Sequence, residues 1–251
     1  MFYNPYPSID LPFGKENKYF LQFFESVLRV DEKYLTYNID YGEGRKEYFS
    51  HLERVFAYEL YRQWGNQIEL AKDPLVLNAE IKKVINGDYY ICHVIDENGE
   101  TIEQEFSVYP DIVLHHSQGD DNSQIMICEI KRAVNSYHCQ VSELTGSAIF
   151  GDIHKILGYM TKLEEGKNPF KYGVFLVVNG GLSIITSKLK SNTKIKISKG
   201  QTELVFSDFI NEKASLHLFQ RIVCVAYDGS RLEYDTFDNI IKNRTINNPN
   251  E

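Results

Sequence analysis

Two stretches decide how this chain reads: Pro110-Asp111-Ile112-Val113-Leu114-His115 and Met126-Ile127-Cys128-Glu129-Ile130-Lys131. Both are runs of Ile, Val, Leu and Met with few breakers, the composition of strands. Between them, Ser117-Gln118-Gly119-Asp120-Asp121-Asn122 is a turn-forming cluster. An antiparallel hairpin that sets Val113 opposite Ile127 also sets His115 opposite Ile125 and Asp111 opposite Glu129. Side chains alternate faces along a strand, so Lys131 shares the face of Glu129. A slip of one residue would send Asp111 to the other face; the apolar flanks favour the stated register. Two carboxylates and an ammonium then converge at one end of the hairpin, the make-up of a divalent-metal site with a basic group beside it. Mg²⁺ takes oxygen ligands, needs only one or two carboxylates, and completes its shell with water and substrate phosphate. Lys131 is placed to orient a water or to stabilise developing charge. His115 lies roughly 13 Å along the strand, too far to ligate the same ion.

Working outward, residues 45–64 contain no Gly or Pro, and Phe49, Leu52, Val55, Phe56 and Leu60 recur at helical spacing, which predicts a helix. Glu59 falls inside this stripe and Glu53 at its margin. A carboxylate on a core-facing stripe is costly unless it is paired or bound to metal. Glu59 is therefore a candidate metal-shell residue, with a salt bridge to a neighbouring Arg or Lys as the competing reading. Asn86-Gly87 and Asn98-Gly99 are two-residue hairpin turns. They divide the next segment into strands near 75–85, 88–96 and 101–109. Residues 146–163 read as a helix that buries Ile149, Ile153, Ile156, Leu157, Met160 and Leu163 and carries Asp152, Lys155 and Tyr159 as a second stripe. Residues 172–178 are a nearly continuous apolar run, an interior strand ended by Asn179-Gly180-Gly181.

Pro-Asp, an interval, then Glu-x-Lys resembles the motif of the PD-(D/E)XK nuclease superfamily. That family places a helix bearing a glutamate first, then an antiparallel meander carrying the motif, then a helix and a further strand. All four parts occur in that order over about residues 45–180. The resemblance implies an α/β (α+β, mixed-sheet) chain with a restriction-endonuclease-like core: helix, antiparallel meander, helix, strand. It implies that Asp111 and Glu129 bind Mg²⁺ or Mn²⁺, that Glu59 completes or orders the metal shell, and that Lys131 positions the attacking water. Some members carry an acidic residue in the first meander strand, which makes Glu80 a secondary candidate against the reading of an exposed strand glutamate. Similar nucleases often show Asp-x-x-Lys on the helix flanking the site, here Asp152 and Lys155. The competing reading is a surface pair worth a few tenths of a kcal/mol. Gln140 lies in the connection between motif and helix, where a polar residue reaches toward the site.

Composition bounds the rest. The 251 residues are 43% hydrophobic, ample for one sizeable core with a companion lobe. The expected organisation is an N-terminal arm and helix over 1–44 (residues 17–30 amphipathic), the nuclease-like core over 45–180, a C-terminal extension over 181–242 and a polar tail over 243–251. A strand over 221–227 is placed to extend the sheet. No apolar run is long enough to predict a membrane span. Three prolines and no basic residue precede Lys15, so no signal peptide is expected. Cys92, Cys128, Cys139 and Cys224 lack CxxC spacing, which argues against zinc and disulfides and for a reducing, cytoplasmic setting.

Net charge is −8, yet residues 166–202 hold seven lysines and no Asp or Glu, so this segment carries +7 against −15 elsewhere. Lys188, Lys190, Lys194 and Lys196 alternate as hairpin sequence does, with Ser191-Asn192 as the turn. Such a row takes phosphates without reading bases, or else guards a strand edge against aggregation. The expected function is a metal-dependent nuclease hydrolysing phosphodiester bonds of DNA. The alternative is a catalytically inactive module of the same fold that binds nucleic acid or a protein partner. A homodimer would suit double-strand cutting.

Overall fold

The computed structural model describes residues 11–40, 46–50, 53–79, 83–84, 91–95, 101–105, 107–108, 110–116, 124–137, 140–161, 169–196, 203–213 and 217–247. Its helices are α1 (Asn17–Leu28), α2 (Glu53–Ala71), α3 (Gly146–Thr161), α4 (Ser183–Lys188), α5 (Phe206–Lys213) and α6 (Phe237–Asn247). The central sheet has six strands: β1 (Leu75–Ala79), β2 (Ile112–His116), β3 (Gln124–Arg132), β4 (Tyr172–Val178), β5 (Ile222–Tyr227) and β6 (Leu232–Thr236). They lie side by side in chain order. The β1–β2, β2–β3 and β5–β6 pairs are antiparallel, whereas β3–β4 and β4–β5 are parallel. Parallel neighbours need crossovers. α3 supplies the first, and α4, α5 and a short hairpin between them supply the second.

The sheet is covered on both faces. Phe20, Phe23, Phe24 and Val27 of α1 and Phe56, Leu60, Trp64 and Ile68 of α2 recur at three and four residues. They bury against Met126, Cys128 and Ile130 of β3 and Val174 and Leu176 of β4. The alternate residues of those strands, Ile127, Phe175 and Val177, face Ile149, Ile153, Ile156 and Leu157 of α3, with Phe206, Phe209 and Phe237 beyond. β4 is buried at all seven positions, as a strand between two parallel neighbours should be. Cys128 and Cys224 are buried free thiols. No described helix is long and apolar enough to cross a membrane.

The structure revises several sequence expectations. Lys46–Ser50 is not the start of a helix but a strand paired antiparallel with Thr36–Asp40. The described part of α2 begins at Glu53. It then runs through Gly65, because burial of Trp64 and Ile68 outweighs a mid-helix glycine cost of about 1 kcal/mol. In the expected meander, β1 joins the central sheet, while Ile91–Ile95 pairs with Thr101–Glu105 and Lys83–Val84 with Ser107–Val108 as separate ladders. Asn86-Gly87, Asn98-Gly99 and Glu80 lie outside the described residues. Lys188 and Lys190 do not belong to a hairpin: Lys188 ends α4, and Lys194–Lys196 pairs instead with Glu203–Val205. The strand expected over 221–227 is borne out as β5, which extends the sheet beside β4 and carries the edge strand β6 on its other side.

Candidate active site

The motif hairpin folds in the register that the apolar pattern requires. Ile112 lies opposite Cys128, Val113 opposite Ile127 and Leu114 opposite Met126. An irregularity between Leu114 and His115 then shifts the pairing, so His115 faces Gln124 rather than Ile125. Its ring contacts Asn78 (2.5 Å) and the carbonyl of His116 (2.7 Å), far from the motif acids. Asp111 sits just before β2. Its Oδ2 accepts the main-chain N–H of Ile130 at 2.7 Å, which ties it to the strand that carries Glu129 and Lys131.

Glu129 and Lys131 project toward α3, as alternation with Ile127 demands. The connection that brings α3 there is a hairpin of Val134–Tyr137 with Gln140–Glu143. The Leu144 N–H donates to the carbonyl of Ala133 at 3.0 Å and closes its root, returning the chain to the end of β3. α3 then runs back over the sheet. It approaches β4 so closely that a Cβ on Gly173 would overlap the Ile156 side chain. Lys155, next to Ile156, reaches Glu129 Oε2 with its Nζ at 2.5 Å and has Asp152 Oδ1 at 3.8 Å. Lys131 lies between two helices, its Nζ 3.1 Å from Glu53 Oε1 on α2 and 3.4 Å from Asp152 Oδ2 on α3.

Four carboxylates and two ammonium groups thus share one patch where the ends of β2 and β3 meet α2 and α3. Glu129 is the most deeply placed, at 1% exposure, and its Oε1 is buried with no hydrogen-bond partner among the described residues. Burial pushes the Glu129 carboxyl well above the usual carboxylate range; Lys155 opposes this, while Asp111 and Asp152 add to it. Burial likewise raises Asp111, against the Ile130 N–H and Lys131. Burial raises Glu53 too, opposed by Lys131. For Lys131 and Lys155 burial works the other way, yet the surrounding carboxylates outweigh it and hold both ammonium groups charged.

The fold therefore brings together Asp111, Glu129, Lys131, Asp152 and Lys155. It does not bring Glu59 to them. Glu59 is buried in α2, but its carboxylate accepts from Arg62 (2.6 and 2.9 Å) and Gln63 (2.7 Å), and Arg62 holds its pKa down. The salt-bridge reading of that position is the one the geometry realises. The α2 acid at the cluster is Glu53, in the helix's first turn, a residue the helical wheel sets at the margin of the apolar stripe. Gln140 lies in the hairpin after β3, opposite Tyr137. Lys194 pairs with Glu203 at 2.8 Å, and Lys196 is exposed on the same short strand.

Two surface depressions of about 570 and 740 Å³ lie elsewhere, one beside Arg29 and Gln67, the other beside Tyr234 and Asp238, and neither includes a member of the cluster. Among the described residues, no group of three or more His, Cys, Asp or Glu is arranged to hold a metal ion unaided. No protein-family model, curated protein or solved structure matches the chain. It is an α/β protein with a mixed six-stranded sheet.

Proposed function

We propose that this chain is a metal-dependent nuclease of the PD-(D/E)XK kind, hydrolysing phosphodiester bonds of DNA. The observation that carries the reading is the convergence of Asp111, Glu129 and Lys131, joined to Asp152 and Lys155 from α3 and Glu53 from α2. With all four carboxylates ionised against two ammonium groups the formal charge is −2, and a divalent cation there would offset the burial that disfavours the ionised forms of Glu129 and Asp111. The orphaned Oε1 of Glu129 is an oxygen donor of the type Mg²⁺ takes, and two carboxylates suffice for such a site. Asp111 and Glu129 would hold Mg²⁺ or Mn²⁺. The metal, when bound, would polarise a phosphoryl oxygen and lower the pKa of a coordinated water.

The chain's own groups supply the remainder. Lys131, held charged by Asp152 and Glu53, is positioned to orient the attacking water and to offset charge gathering on the phosphorus oxygens. Glu53 and Asp152 restrain its ammonium from two sides, which limits the conformations it must lose on reaction. Lys194 and Lys196 belong to the lysine-rich segment that offers phosphate backbone a positive surface, although the Glu203 partner of Lys194 reduces its share.

A second reading has its own support. Two of the three motif charges already have an internal counter-ion, Glu129 with Lys155 and Lys131 with Glu53, as in a non-catalytic module of the same fold that binds nucleic acid or a protein. Incubating the purified chain with plasmid DNA separates the two. Cleavage that needs Mg²⁺ or Mn²⁺, stops with EDTA and is lost in Asp111→Asn and Lys131→Met supports the nuclease. DNA retention without cleavage in any metal, by a folded chain, supports the module.

A further inference from the structure

We propose that Lys155 is a built-in competitor for the metal seat, an internal cation that neutralises Glu129 until a divalent ion displaces it. The inference rests on the metal-site reading above and extends it to the regulation of that site. Its Nζ lies 2.5 Å from Glu129 Oε2, so the ammonium occupies the position of a ligand-bound cation. The other oxygen of the same carboxylate, Oε1, is buried without a hydrogen-bond partner. One Glu129 oxygen is thus satisfied by Lys155 and the other is left open.

Displacement has a place to go. Asp152 Oδ1 stands 3.8 Å from the Lys155 Nζ, one turn back on α3. Lys155 can exchange Glu129 for Asp152 through side-chain rotation alone, keeping a carboxylate partner throughout. Lys131 is not equivalent, because its partners are Glu53 and Asp152 and it makes no ion pair with Glu129 among the described residues. The expected consequence is a seat held against weakly binding ions and open to a divalent cation that brings phosphate oxygens with it.

Calorimetric titration with Mn²⁺, at fixed pH and ionic strength, tests this on wild type, Lys155→Met and Lys155→Arg. Removing the ammonium leaves Glu129 buried without a counter-ion, so Lys155→Met should bind Mn²⁺ about tenfold more tightly and gain more thermal stability from it than wild type does. Lys155→Arg should return to the weaker wild-type affinity. Equal or weaker binding by Lys155→Met, with wild-type binding intact, overturns the competitor role and leaves the metal site standing. Absence of Mn²⁺ binding in both proteins overturns the metal site and the competitor together. Should Lys155→Met fail to fold, the side-chain ammonium resonance of Lys155 in the wild type, assigned by its loss in Lys155→Arg, carries the test. That signal should shift or broaden as Mg²⁺ saturates the protein, and an unchanged signal refutes displacement.

Discussion

The carboxylate of Asp111 is fastened to the strand opposite it by the main-chain N–H of Ile130, at 2.7 Å. Ile130 stands between Glu129 and Lys131, so one hydrogen bond sets the acid that precedes β2 against the acid and base on β3. Asp111 is therefore both a candidate ligand and a structural tie across the motif.

These two roles separate by substitution. Asp111→Asn keeps an oxygen for the Ile130 N–H but loses the charge, and should leave stability nearly unchanged while abolishing metal-dependent cleavage. Asp111→Ala also strands that N–H, at a cost of about 1–3 kcal/mol. Urea denaturation of both variants, read beside a plasmid-cleavage assay, checks the difference. An equal loss of stability in both would show that the tie does not matter.

Glu53 and Glu59 lie on one helix in unlike surroundings. Glu53→Gln weakens the restraint on Lys131 and should lower cleavage about tenfold or more, mainly in kcat. Glu59→Gln breaks only the contacts with Arg62 and Gln63, and should cost about 1 kcal/mol of stability with cleavage within about twofold of wild type. The reverse ordering would return the metal-shell role to Glu59.

How far the candidate site was legible follows from these two glutamates. A helical wheel reports direction around an axis and nothing about position along it. Glu59 has a core-facing direction, yet the cluster meets α2 in its first turn, where Glu53 stands. Finding that turn required the helix start, and the start depends on pairing of Thr36–Asp40 with Lys46–Ser50. By contrast, Asp152 and Lys155 were visible as a second stripe beside the apolar face of α3, because that helix's start at Gly146 is local.

His154 gives a pH dependence with a definite sign. Burial, with Lys213 nearby, pulls its imidazole from the ordinary 6.5 down to about 4. Its ring packs against Phe150 and Phe209, centroids 6.5 and 5.7 Å away. The unfolded chain therefore binds this proton more readily than the folded one. The stability tied to neutral His154 is complete above about pH 6.5, falls as the pH drops, and is lost below about pH 4, a change of about 3 kcal/mol. Chemical denaturation of wild type and His154→Phe at pH 7.5 and 4.5 should show the wild type losing more stability. Parallel losses would remove His154 as the cause.

Gly173 sets the distance between α3 and β4. In Gly173→Ala the new methyl meets Ile156 and, 3.0 Å away, the sulfur of Met160. The Ile156 side chain or the helix that carries it must give way, at about 1–3 kcal/mol. Because Lys155 adjoins Ile156, the same shift should loosen the Lys155–Glu129 pair and reduce cleavage. A variant with wild-type melting and activity would mean that the helix has slack to absorb a methyl group.

The sequence by itself determined the local and periodic features: the register from Ile112 to Leu114 against Cys128 to Met126, the buried run of β4, and the apolar faces of α1 and α3. Alternation and helical spacing are properties of neighbouring residues, and burial on one face leaves few other solutions. Only the tertiary structure decided which distant charges meet Glu129 and Lys131, that β5 runs parallel beside β4 with β6 at the edge, and that Glu53 rather than Glu59 stands at the cluster. Those outcomes depend on where elements start and how crossovers return the chain, and no short window of residues contains the energy that selects them.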